Sequence, residues 1–209
     1  MVDLYFIDYM ESIGKRECPI CDSVTKATER FFSGLIYESN SGTIKKYADS
    51  GGFCPPHASK FISFVQSNPE LGGGLSGLPL VFGQMEIAEE ILSGHSDRKK
   101  LESHFHCPAC STAKLRESDS IGDLSDMVNS GRINPVDLAS SICYPHFYRI
   151  ISFVTGNFRE LLISRFCGII KKLRTDLLHY RESYAYNSGE NLYAGELWKK
   201  SIIKFAGKF

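Results

Sequence analysis

Apolar residues recur along this chain at helical rather than strand spacing. Asp22 to Tyr37 shows no alternation of apolar and polar positions, and Ser111 to Asn129 behaves alike, with an interruption at Ile121-Gly122. His57 to Val65 and His146 to Val154 are aromatic-rich runs with apolar residues such as Phe61, Phe64 and Val65 at helical spacing. The β-branched and aromatic content of Phe61-Ile62-Ser63-Phe64-Val65 would suit a strand, but the proline just inside the segment is a helix-start signal, so helices are predicted. Leu71-Gly72-Gly73-Gly74-Leu75-Ser76-Gly77 reads as a flexible connection, Leu78 to Leu92 as a helix ending at Ser93-Gly94, and the polar stretch Ser93 to Ser103 as a linker. Phe158 to Tyr180 forms a long amphipathic pattern, and Gly189 to Phe205 holds a shorter one with Leu192, Trp198, Ile202 and Ile203 on its apolar side. No strand is required, which predicts an all-α fold.

Two of these patterns are copies of one another. Cys18-Pro19-Ile20-Cys21 is followed thirty-three residues later by Cys54-Pro55-Pro56-His57, and Cys107-Pro108-Ala109-Cys110 by Cys143-Tyr144-Pro145-His146 at the same distance. A shift of 89 residues superposes all eight Cys and His residues, Pro19 on Pro108, Pro56 on Pro145, and Ile62-Ser63-Phe64-Val65 on Ile151-Ser152-Phe153-Val154. The chain is therefore read as two pseudo-repeated helical lobes, residues 1–94 and 107–209, joined by a linker over 95–106, with the long C-terminal helices in the second lobe.

The repeated residues are metal-ligand types. A residue before proline is pushed out of the α region while proline suits the first helical turn, so Cys18 and Cys107 should cap helices with Cys21 and Cys110 one turn in. Cys54 with His57, and Cys143 with His146, share that three-residue spacing. The expectation is that each copy closes its own site: Cys18, Cys21, Cys54 and His57 in the first, Cys107, Cys110, Cys143 and His146 in the second. Helix N-termini favour the thiolates that a metal needs. Three thiolates and one imidazole fill a tetrahedral shell, which points to two structural Zn2+ ions per chain; an iron–sulphur cluster is the alternative. The thirty-two residues between half-sites are too many for a DNA-reading zinc finger, which needs about twelve. Cys-Pro-x-Cys at a helix start also resembles a thioredoxin-type dithiol, which keeps a thiol-based redox sensor or oxidoreductase open, although the βαβ context is missing.

Composition narrows the picture further. The 209 residues are 43% hydrophobic and 12% aromatic, enough to fill a core. Net charge is zero, with 10 basic against 14 acidic residues over 1–104 and the reverse over 105–209, so the whole molecule has no strong pull on nucleic acid or an anionic membrane. The acidic start Met1-Val2-Asp3 lacks the basic flank of a signal peptide and no apolar run approaches a membrane span, giving a soluble, cytoplasmic expectation in which cysteines serve metals rather than disulfides.

Other candidates carry less. Cys167, the seventh cysteine, lies in an apolar run and is expected to be a buried packing thiol. His95, His104 and His106 fall in the polar linker, and His179 stands at the predicted end of the long helix. Gly72-Gly73-Gly74 lacks the Lys-Ser/Thr pair of a phosphate loop, and no nucleophile triad or carboxylate pair is legible. Lys171, Lys172, Arg174, Lys199, Lys200 and Lys204, interleaved with tyrosines, form a candidate surface for nucleic acid or another partner.

The duplicated Cys-Pro-x-Cys and Gly52-Phe53-Cys54-Pro55-Pro56-His57 resemble an uncharacterised prokaryotic family catalogued as a domain of unknown function, over nearly the whole chain. Its aromatic, acidic, Gly-rich segment before a tryptophan helix is similar to Tyr184-Ala185-Tyr186, Glu190, Gly195 and Trp198 here, with Ser183-Tyr184-Ala185-Tyr186 where the family has an Asp-Tyr-Arg-Phe-like string. The resemblance implies metal sites and a helical architecture and no known activity. Together these features predict an interaction or regulatory module with a protein partner, nucleic acid being the other option, rather than an enzyme.

Overall fold

The computed structural model describes residues 4–38, 42–43, 46–47, 51–71, 77–93, 106–186 and 194–207. Every regular element among them is helical: α1 (Leu4–Gly14), α2 (Pro19–Tyr37), α3 (Pro55–Ser67), α4 (Leu78–Leu92), α5 (Pro108–Asn129), α6 (Pro135–Ser141), α7 (Tyr144–Ile150), α8 (Gly156–Tyr186) and α9 (Ala194–Ala206), with a short 3-10 turn over Pro69–Leu71. No helix among the described residues is long and apolar enough to cross a membrane.

Four of these starts pair a cysteine with a proline. α2 and α5 begin at the proline after Cys18 and Cys107, and the carbonyls of those cysteines accept the first helical hydrogen bonds, from Asp22 N–H at 3.0 Å and Ser111 N–H at 3.3 Å. Cys54 and Cys143 cap α3 and α7 in extended backbone (φ −66° and −78°), again with proline in the first turn. α5 runs unbroken through Ile121-Gly122. The flanking Ser120, Ile121, Leu124 and Ser125 are all buried, and that packing outweighs the glycine's weak helix preference. α1 and α6 add to the sequence expectation. α6 carries its own start signal, because Asn134 Oδ1 accepts from Val136 N–H at 2.9 Å and Pro135 opens the helix.

The chain divides into two units, residues 1–23 with 117–209, and residues 24–116. This differs from the expected split near 95–106, of which only His106 lies within the described residues, and it cuts through α2 and α5. The first turn of α2 belongs to unit 1 and its remainder to unit 2, while α5 begins in unit 2 and enters unit 1 at Glu117.

In unit 1, α8 packs on α6 and α9, α6 on α1, and α9 on α7. Its core includes Tyr9, Ile20, Leu124, Val128, Leu138, Ile150 and Leu162, all but excluded from solvent. Phe147 and Phe166 stack at 4.0 Å, tying α7 to α8. Unit 2 is built on aromatic residues instead. Phe32 of α2 meets Phe53, Phe61 and Phe64 with centroids 5.3, 5.3 and 5.8 Å away, and Tyr47 meets Phe53 at 4.8 Å. The turn before Cys54 requires glycine: Gly52 has φ +76°, and a Cβ there would stand 1.5 Å from Nε2 of Gln84, whose amide donates to the Gly51 carbonyl.

Candidate metal centres

The eight Cys and His residues of the two repeats form two four-donor groups, each with its donor atoms within 4.8 Å of one another, so each group could hold a metal ion. The expected pairing is corrected. Cys18 and Cys21 join Cys143 and His146 in unit 1, and Cys107 and Cys110 join Cys54 and His57 in unit 2. Each centre takes its Cys-Pro-x-Cys from one repeat and its Cys-x-Pro-His from the other. The reason lies in α2: about three turns beyond Cys21, its Phe32 packs on Phe53 and so assigns the neighbouring Cys54 to unit 2.

In unit 1, His146 Nδ1 lies 3.4 Å from Cys18 Sγ, 3.4 Å from Cys21 Sγ and 3.1 Å from Cys143 Sγ, and the Cys21 and Cys143 sulfurs are 3.8 Å apart. All four residues are buried, with exposures of 8% or less. With Nδ1 facing the sulfurs, Nε2–H donates to Glu117 Oε1 at 2.9 Å, and Arg149 pairs with the same carboxylate oxygen. That chain fixes the imidazole's tautomer and orientation, the usual outer support of a histidine ligand.

In unit 2, His57 Nδ1 lies 3.2 Å from Cys54 Sγ, 3.5 Å from Cys107 Sγ and 3.3 Å from Cys110 Sγ, with the Cys54 and Cys110 sulfurs 3.6 Å apart. This centre is more open: Cys107 is buried, Cys54 and His57 are half-buried, and Cys110 is exposed. Among the described residues no carboxylate meets His57 Nε2. The 89-residue repeat places Thr28 where unit 1 has Glu117, and Lys60 where it has Arg149. Thr28 is buried and its hydroxyl donates back to the Val24 carbonyl at 2.8 Å.

The electrostatics are those of thiols crowded together around an imidazole. Burial opposes ionisation of Cys18, but hydrogen bonds from Cys143, Cys21 and His146 outweigh it and hold Cys18 well below the ordinary thiol range. Cys21 is pushed up by its bonds to Cys143 and Cys18. Burial works against protonation of His146, yet its bonds to Cys143 and Cys18 raise it to about 10. In unit 2, burial opposes ionisation of Cys54, but the His57 backbone N–H and the Cys110 and Cys107 thiols lower it; desolvation and bonds to Cys54 and Cys107 push Cys110 up to about 12. Cysteine binds a dication as the thiolate, so metal binding at either group would release protons.

The remaining candidates separate. Lys171, Lys172 and Arg174 on α8 and Lys199 and Lys200 on α9 are exposed. Lys204 is not part of that surface, because its Nζ donates to the Ala139 and Ser140 carbonyls at 3.1 Å each, at the C-terminal end of α6, and lies 5.0 Å above the Phe166 ring. Burial, only partly offset by Cys18 and Cys143, lowers its pKa to about 8. Cys167 is exposed, which corrects the expectation of a buried thiol: Leu162 and Phe166 hold the inner face of α8, and the next residue turns about 100° outward. His106 and His179 are exposed, and α8 continues past His179 to Tyr186; His95, His104, Leu192 and Glu190 lie outside the described residues. Glu117 and Arg149 escaped sequence reasoning, since nothing in their spacing sets them apart from other helix-surface charges. No family model, curated protein or solved structure matches this chain.

Proposed function

We propose that this protein is a zinc-stapled helical binding module, with one Zn2+ closing each unit and the activity residing in surface recognition rather than catalysis. One observation carries the reading: each centre assembles four donors, three thiolates and an imidazole, at the separations of a closed zinc shell. Tetrahedral bonds of about 2.3 Å to sulfur and 2.0 Å to nitrogen give S···S edges of about 3.8 Å and S···N edges of about 3.5 Å. One S···S pair in each centre stands at 3.8 Å (Cys21–Cys143) and 3.6 Å (Cys54–Cys110), the S···N separations run from 3.1 to 3.5 Å, and all donors of a centre lie within 4.8 Å of one another. A disulfide would need about 2.05 Å. With four protein donors no position stays open for substrate, which is the property of structural zinc.

Two surfaces of unit 1 support a recognition role. Trp198, Ile202 and Phe205 recur at i, i+4 and i+7 along α9 with exposures of 46%, 54% and 45%, a pattern suited to a protein partner. Lys171, Lys172 and Arg174 on α8, with Lys199 and Lys200, supply the basic option for nucleic acid. Elemental analysis of protein purified without added metal tests the metal reading, with about two zinc ions per chain expected; bound iron with visible charge-transfer absorption would overturn it. Titration with mixed RNA and DNA at low salt separates the partners. Binding that weakens steeply with salt and falls on charge reversal of Lys171, Lys172 and Arg174 assigns nucleic acid, and its absence leaves the Trp198 face.

A further inference from the structure

We propose that the unit 2 centre is a site of thiol modification by hydroperoxides, in which Cys110 is oxidised first, closes a disulfide with Cys54 and releases the zinc ion. This deepens the zinc reading and rests on it. The internal duplication supplies a like-for-like comparison. Cys21 and Cys110 occupy the same repeat position, one turn into a Cys-Pro-x-Cys helix, yet Cys21 is 4% exposed and Cys110 lies open to solvent. Proximity does not distinguish the centres, since Cys21 and Cys143 at 3.8 Å are almost as close as Cys54 and Cys110 at 3.6 Å. Access does.

Ligand support differs in the same direction. His146 is locked by Glu117, itself paired with Arg149, whereas the repeat puts Thr28 and Lys60 at those positions for His57, and Thr28 spends its hydroxyl on its own helix. With no such carboxylate on His57 among the described residues, a zinc ion there would be held less firmly, and its bonds to sulfur would open more readily to a reagent that can also reach them.

The chemistry balances. As a zinc ligand Cys110 would be a thiolate whatever its value in the free protein; its sulfur gives an electron pair to one peroxide oxygen and the O–O bond breaks, with the other oxygen leaving as an alcohol, or as water from hydrogen peroxide, after taking a proton. The resulting Cys110 sulfenic acid is attacked by the Cys54 thiolate, and its hydroxide leaves with a second proton as water. Two thiolates lose two electrons and the hydroperoxide gains them. Only Cys107 and His57 would then remain as donors, too few to retain a zinc ion.

The test uses the full chain carrying Cys167→Ser, which removes the exposed non-ligand thiol. Zinc content is measured first; less than about two ions would refute the zinc reading itself before any oxidant is added. Hydrogen peroxide is then added with a chromogenic zinc chelator present, and disulfides are mapped by mass spectrometry. The expected result is release of one zinc about ten- to a hundredfold faster than the other, the factor that outer-shell support is worth. A Cys54–Cys110 linked peptide should accompany it, with Cys18, Cys21 and Cys143 reduced, and a thiol reductant with added zinc should restore the starting state. Simultaneous loss of both ions, a first disulfide within unit 1, or a Cys107–Cys110 link in place of Cys54–Cys110 would each overturn the proposal.

Discussion

At the residue scale, the two histidines hold the same repeat position in different settings. Burial opposes ionisation of Glu117, but the Arg149 and His146 bonds outweigh it and hold the carboxyl below its ordinary range, so it stays an anion and accepts from His146 Nε2–H. Glu117→Gln keeps the shape and removes the charge; it should weaken metal binding at the unit 1 centre about ten- to a hundredfold and leave the other centre unchanged, read by chelator competition. Lys204 gives a pH prediction. Its folded-state value of about 8 lies below the ordinary 10.5, so across that window the unfolded chain binds more protons and stability should rise with pH. Below the window both states are protonated and the contribution is constant. Lys204→Met should flatten the slope, followed as the denaturation midpoint of the metal-loaded protein. The eight donors were legible in sequence because their residue types and spacing are rare together. Glu117 was not, because a lone helix carboxylate looks like solvated surface until Arg149 and His146 are placed beside it.

At the element scale, the helix starts were legible and the destinations were not. Proline after cysteine fixes the first turns of α2 and α5, and apolar spacing fixes their continuation, but neither says which core the far end enters. That is decided by packing among Phe31, Phe32, Phe53 and Phe61, whose contacts join residues far apart in sequence. The 89-residue repeat makes closure within one copy the simplest reading, and both closures satisfy the same spacing. Phe32→Ala separates them. Truncating this 1%-exposed ring should cost about 3–5 kcal/mol, the usual range for a buried phenylalanine. Although Phe32 belongs to the helix that begins at Cys18 and Cys21, the loss should loosen metal at the Cys54–His57–Cys107–Cys110 centre and spare the other, measured by chelator competition at each site. α6 and Cys167 show the same limit: the Asn134-Pro135 start is a local signal, whereas the outward turn of Cys167 depends on which face of α8 meets the core.

At the scale of the whole molecule, the exchange makes each unit depend on both repeats. Neither 1–94 nor 107–209 contains all four donors of either centre, because each centre draws two from each half. A bound structural zinc contributes on the order of 10 kcal/mol, comparable to the net stability of a domain, so its loss would leave the helix starts it joins untied. Paired substitutions test the connectivity through metal content alone. Cys18→Ser with Cys143→Ser damages one centre twice and should leave about one zinc per chain, because the unit 2 shell keeps its four donors. Cys18→Ser with Cys54→Ser damages each centre once, and since a three-donor site binds weakly, zinc should fall toward none under the same chelator challenge. Closure within each repeat requires the reverse order, with Cys18 and Cys54 sharing one ion and Cys18 and Cys143 serving two. Elemental analysis of the two double variants side by side therefore decides whether the repeats fold as neighbours or through each other.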